Sequence, residues 1–131
     1  GCLLVPGNTI DQVNKEVNKL MEEEMIGLGL FSREDVQKQD PDKPLFTKYF
    51  MHGVSHFLGL DVHDVGSKFE PFRPGMVFTF EPGLYIREEK IGIRLENNYL
   101  ITEKEPVDLT AGIPVEAEEV ELIMKEQKKD I

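Results

Sequence analysis

The chain has 131 residues and a formal charge of −10, from 15 Lys+Arg against 25 Asp+Glu, so neither nucleic acid nor an anionic membrane is an expected partner, since both reward clustered positive charge. Its length suits one domain over residues 1–131, burying roughly two-thirds of the surface that the unfolded chain exposes. Cys2 is the only cysteine, which leaves no internal disulfide and no cysteine-built zinc site; with no apolar run near the roughly 18 residues that span a bilayer and no secretory leader at the start, a soluble, cytoplasmic protein is expected.

The chain enters on an apolar run, Gly1 to Pro6, without an initial Met, and reads as a piece of something longer. Thr9-Ile10-Asp11-Gln12 matches a capping box and predicts a helix to about Gly27 or Gly29. Its apolar stripe is Ile10, Val13, Val17, Leu20 and Met21, with Lys15, Lys19, Glu22 and Glu23 on the other face. Ser32 to Asp35 suits the start of a short second helix, which Asp40-Pro41-Asp42-Lys43-Pro44 would stop.

From Phe50 to Gly66 the recurring glycines 53, 59 and 66 argue against a continuous helix, at about 1 kcal/mol per Gly relative to Ala. After the turn at Arg73-Pro74-Gly75, residues 76–81 alternate as a strand, with Met76, Phe78 and Phe80 on one face and Val77, Thr79 and Glu81 on the other. Pro82-Gly83 breaks it, Leu84 to Ile86 resumes, Arg87 to Lys90 turns, and Ile91 to Thr102 is another strand candidate. Together these predict a β-meander. A closing helix is expected from about Pro114 to Lys125, with early glutamates and a late lysine as the helix dipole prefers. Excess acid lies in the two end regions and the centre is nearly neutral, which marks the centre as the working part.

Three constellations there can carry chemistry. His52, His56 and His63 fall within twelve residues; the first two share a face at a spacing of four, and the third needs a turn to join them. Gly53 stands where a zincin motif carries its Glu base, so a thermolysin-like site is not expected, and hydrogen-bonded or surface histidines are the plain alternative. Glu81 lies on an otherwise apolar strand, where a buried carboxylate needs a cation, either a metal, an Arg or a Lys. The alternative is a strand-end glutamate facing water. Arg94 and Glu96 alternate with Ile93 and Leu95, which puts a guanidinium beside a carboxylate, whether as part of a site or as a surface ion pair. Imidazole and carboxylates without thiolate suit Mn²⁺, Zn²⁺, Co²⁺ or Fe²⁺.

Three ordered stretches, His52 to Gly66, Arg73 to Tyr85 and Gly92 to Asn98, closely resemble aminopeptidase P, the Xaa-Pro aminopeptidases among the pita-bread metallopeptidases. The resemblance implies an α+β pita-bread fold of the creatinase/aminopeptidase type, of which this chain is the C-terminal half, with helices packed on a curved antiparallel sheet. It implies an enzyme that releases an N-terminal residue preceding proline, using two divalent metal ions, manganese foremost, with Zn²⁺, Co²⁺ or Fe²⁺ as alternatives. His56, Glu81 and Glu96 match metal ligands, Glu96 bridging both ions and Glu81 also managing the proton of the attacking water. His63 would hydrogen-bond the scissile carbonyl or the tetrahedral intermediate, while His52 and Arg94 would shape the proline side of the pocket and orient Glu96.

The family's site also takes two aspartates from an upstream strand pair, and no such segment is present. Asp11, Asp35, Asp40 and Asp42 fall on helix or turn patterns, and Asp61 and Asp64 match no ligand position. An upstream histidine and the N-terminal domain are absent too. The segment alone is therefore expected to be inactive, and to pair as a homo-oligomer or with the missing half, since half a fold exposes strand edges and apolar surface. A prolidase-type dipeptidase and a non-catalytic pita-bread module that binds peptides or proteins are the alternatives.

Overall fold

The computed structural model describes residues 3–127. Gly1 and Cys2, and with them the reading of the lone cysteine, lie outside the described residues.

Helix α1 spans Ile10–Gly27, and the capping box that starts it is complete: Thr9 Oγ1 accepts from Gln12 N–H, and the Gln12 side chain reaches back to Thr9 N–H at 2.9 Å. Its buried stripe runs Ile10, Val13, Val17 and Met25, with Met21 packed against it. Leu20, expected in the stripe, is 58% exposed, because steps of four from Val13 pass through 17, 21 and 25 and leave position 20 at the edge. Helix α2, Arg33–Lys38, has a second complete capping box between Ser32 and Asp35 and ends before the Asp40-Pro41 turn.

Five short strands follow: β1 Val77–Phe80, β2 Gly83–Ile86, β3 Ile91–Arg94, β4 Asn97–Leu100 and β5 Val107–Asp108. They are antiparallel but not a simple meander. β1, β4 and β5 form one sheet in that order, and β2 pairs with β3 in another. The register explains the division. Phe80 pairs with Asn97 on one side of the break and Gly83 with Arg94 on the other, so one long hairpin keeps a single register through an interruption two residues long on each strand. Within that gap Glu81 falls opposite Glu96 and Pro82 opposite Leu95. Pro82 has no N–H to give the ladder, and Leu95 N–H donates to Pro82 O at 3.3 Å. The expected strand Ile91 to Thr102 is thus split into β3 and β4. The hairpin turns at residues 87–90, where Lys90 takes a left-handed conformation with φ of 56°.

Residues 54–58 lie antiparallel along the free edge of β1. Glu81 N–H donates to Val54 O at 2.7 Å, Thr79 N–H to His56 O at 3.1 Å and Leu58 N–H to Val77 O at 3.1 Å. Behind this layer sits the core, in which Phe78 is flanked by Phe57 and Phe72 with ring centroids at 4.7 and 4.4 Å, beside Phe50, Val54 and Ile101. The α1 stripe closes this core from the other side.

Helix α3 spans Ala117–Gln127, three residues later than expected at its start. Pro114 precedes it instead of occupying its first turn. Residues 117–126 are all exposed. No described helix is long and apolar enough to cross a membrane. β3 is exposed along its whole length, Ile91 and Ile93 included.

Candidate functional site

The segment beside β1 and the interruption of the hairpin meet at one cavity of about 300 Å³, lined by His52, Gly53, Ser55, His56, His63, Glu81 and Arg94. Of the six residues singled out from the sequence, five line it. Glu96 does not; it is exposed in the gap between β3 and β4, and no ion pair or hydrogen bond joins it to Arg94 among the described residues.

Glu81 is nearly enclosed, with its side chain 12% exposed against 50% for Arg94. Its Oε1 lies 3.2 Å from His56 Nε2, and its Oε2 lies 3.7 Å from Arg94 Nη1. Of the two readings of Glu81, the one requiring a cationic partner holds, and Arg94 serves Glu81 rather than the neighbouring Glu96. The register explains this: Arg94 pairs with Gly83, so Glu81, two residues before Gly83 on the same face, lies diagonally across the hairpin from the guanidinium.

His56 is oriented at both ring nitrogens. Its Nδ1 is 2.8 Å from Phe57 O, and a carbonyl only accepts, so Nδ1 carries the proton. The 3.2 Å contact between Nε2 and Glu81 Oε1 then takes either a proton on Nε2 or a cation between the two atoms. A metal-binding imidazole is commonly held in this way, its second nitrogen donating to a backbone carbonyl.

His63 joins His56 through a tight turn. Asp64 N–H donates to Phe57 O at 3.1 Å, Asp64 Oδ2 accepts from Leu60 N–H and Oδ1 from Val65 N–H. A Cβ at Gly59 would lie 1.9 Å from Asp64 Oδ2 and would push that carboxylate out of its place in the turn. The turn brings the His63 ring centroid to 4.4 Å from that of His56.

His52 is tied down on both sides. Nδ1 is 2.8 Å from Gly53 O, and Nε2 is 2.8 Å from Tyr85 Oη. With Nδ1–H donating to the carbonyl, the Tyr85 hydroxyl donates to Nε2, and His52 has no ring nitrogen left for a ligand. The Tyr85 ring lies across two glycines of the β2–β3 pair: a Cβ on Gly83 or Gly92 would come within 2.7 or 3.0 Å of it.

Three residues that the sequence reading did not place at the site hold it in position. Tyr85 orients His52. Asn14, on α1, accepts from Val54 N–H through Oδ1 at 2.8 Å. Thr79, 1% exposed, contacts both His56 and Glu81. Thr79 carries a signal in the sequence through its alternation with Glu81 on one strand face, Tyr85 through its place at the end of the second resembling stretch, and Asn14 carries none.

His56 and Glu81 are the right kind of donors for a first-row divalent metal. They fit in chemistry and fall short in number: among the described residues no group of three or more His, Cys, Asp or Glu could hold a metal ion.

Residues 3–103 match metallopeptidase family M24. The chain is 41% identical to the Xaa-Pro aminopeptidase of Haemophilus influenzae over 93% of its own length and 31% of that relative, and 38% identical to the Xaa-Pro aminopeptidase of Escherichia coli over 95% and 30%. Among solved structures, a putative aminopeptidase P from Bacillus anthracis superposes with a TM-score of 0.78 at 41% identity, covering 92% of this chain and 27% of that one. Aminopeptidase P from E. coli with the inhibitor Pro-Leu gives 0.79 at 37% identity, covering 95% and 31%. The chain spans under a third of the length of these relatives. With its helices on an antiparallel sheet in the α+β pita-bread arrangement of aminopeptidase P, it belongs to metallopeptidase family M24.

Proposed function

We propose that these residues form the C-terminal part of the catalytic domain of a metal-dependent Xaa-Pro aminopeptidase, acting on peptides with proline at the second position. The observation that carries the reading is the placing of Glu81 opposite Glu96 in one hairpin, with His56 Nε2 3.2 Å from Glu81 Oε1. Like charges at opposite positions of a strand pair are unfavourable, and a divalent cation held between Glu81 and Glu96, with His56 Nε2 beside Glu81 as a further donor, relieves this.

His56, Glu81 and Glu96 are the proposed metal ligands, for two divalent ions with manganese foremost. The ligands still lacking, aspartates among them, come from outside these 131 residues, by way of the rest of a longer chain or of another copy. Bound divalent ions would supply an activated water and charge stabilisation at the scissile carbonyl. The chain's own residues do the rest. Glu81 accepts and returns a proton at its carboxylate, and Arg94 holds the second oxygen of that group. His63, exposed at the cavity mouth, donates to the carbonyl of the substrate. His52, with both nitrogens engaged, offers its ring flank to the proline. The cytoplasm is the proposed compartment, on the strength of the lone Cys2.

The test is a chimera in which these residues replace the matching segment of the H. influenzae Xaa-Pro aminopeptidase. The isolated chain is expected to leave Xaa-Pro peptides intact, and the chimera to cleave them with Mn²⁺. Substitutions H56A, E81Q and E96Q in the chimera should each abolish cleavage. A folded chimera without activity would sink the proposal, and cleavage confined to Xaa-Pro dipeptides would replace it with a prolidase.

A further inference from the structure

The Thr79 hydroxyl sits between the two best-placed groups of the site. Its Oγ1 is 3.1 Å from His56 N and 3.2 Å from Glu81 Oε1. The polarity of both bonds is settled by chemistry. An amide N–H only donates, so Oγ1 accepts from His56; the single hydroxyl proton is then free to point at Glu81, whose ionised carboxylate only accepts. Thr79 is itself held on both sides of its backbone, its N–H donating to His56 O at 3.1 Å and its carbonyl accepting from Ser55 Oγ at 2.6 Å. Both Thr79 and Ser55 are buried, so water does not compete for these bonds.

We infer that Thr79 is a positioning residue that holds the Glu81 carboxylate against His56 Nε2 through a hydroxyl aimed by the His56 amide. A glutamate side chain has three rotatable bonds, and ordering it costs rotamer freedom, which one hydrogen bond to a charged acceptor is strong enough to offset. The hydroxyl fixes Oε1, Arg94 lies beside Oε2, and the carboxylate plane is set before any ligand arrives. This deepens the proposed function and rests on it wherever a cation is concerned; the orientation of Glu81 stands on geometry alone.

The test is solution NMR on the full 131-residue chain, with T79V, which keeps the shape and removes the hydroxyl, and T79S, which keeps the hydroxyl. T79V should move the Glu81 carboxyl carbon signal, and T79S should leave it at the wild-type position. Broadening of the His56 ring signals by Mn²⁺ should need about 10–100-fold more metal in T79V and be restored in T79S. A folded T79V with an unmoved Glu81 signal, or a T79S that behaves like T79V, overturns the inference. Should T79V not fold, the wild-type chain decides: the buried Thr79 hydroxyl proton must show a nuclear Overhauser contact to the Glu81 Hγ protons, and its absence overturns the inference equally. A wild-type chain that shows this contact but no Mn²⁺ broadening rejects cation binding by this chain and leaves the role of Thr79 standing.

Discussion

Glu81 and Glu96 stand at opposite positions of one antiparallel hairpin, at the two-residue gap where its ladder is broken. Directly opposed like charges cost roughly 0.2–1 kcal/mol relative to neutral pairs. Glu96→Gln should therefore stabilise the chain by up to about 1 kcal/mol in chelator, while removing the stabilisation that Mn²⁺ confers by binding the folded state. Urea denaturation of both proteins, with EDTA and with Mn²⁺, measures this. A destabilised variant in EDTA would show that the two charges do not oppose one another.

Asn14 ties the first helix to the histidine segment forty residues later, through Val54 N–H. Val54 is fully buried, so losing the acceptor leaves its N–H unsatisfied. Asn14→Ala should cost about 1–3 kcal/mol. It should also shift the ring signals of His56, two residues on, and the combination separates a tether of the site from general helix packing.

Phe78 is wholly buried between Phe57 and Phe72, on the strand that positions Thr79 and Glu81. Phe78→Ala should destabilise by about 3–5 kcal/mol, enough to unfold a marginal domain at 37 °C. Loss of near-ultraviolet dichroism is the readout. Phe78→Leu should retain much of the fold.

Asp108 gives the chain an acid-sensitive joint. The Thr110 hydroxyl at 2.7 Å holds its carboxyl below the usual carboxylate range; burial opposes this, and Thr110 N–H and the Asn97 side chain assist. A depressed folded pKa means that the contribution is full above the ordinary carboxylate value and fades as pH falls through the lowered one. Asp108→Asn should narrow its stability gap to the wild type on acidification, as followed by urea midpoints across the acid range. A gap that widens would contradict the assignment.

What was legible in the sequence was local. Both capping boxes involve residues three apart, and the α1 stripe and the alternation of β1 repeat over a few positions, so Thr9, Ser32 and the face shared by Thr79 and Glu81 were readable directly. The hairpin register was not. Alternation along one strand makes Arg94 a neighbour of Glu96, yet the guanidinium lies beside Glu81, diagonally across the pair. His63 likewise faces away from His56 on any extended path, and only the turn closed by Asp64 brings the rings together. Spacing alone puts Leu20 in the core, yet it stays 58% exposed at the edge of the helix stripe. The donors of the site were readable as residue types in order, and their convergence was a matter of tertiary structure.

Helix α3 has no buried residue from Ala117 to Glu126, and this bears on how the whole chain melts. Heat-capacity change and denaturant sensitivity both scale with the surface that unfolding newly exposes. A helix already bathed in solvent adds almost nothing to either. Its amides should exchange with deuterium through local fraying, decoupled from the core. Calorimetry and urea titration will therefore register a cooperative unit that ends ahead of α3, while the far-ultraviolet helix signal declines in a separate, shallower phase.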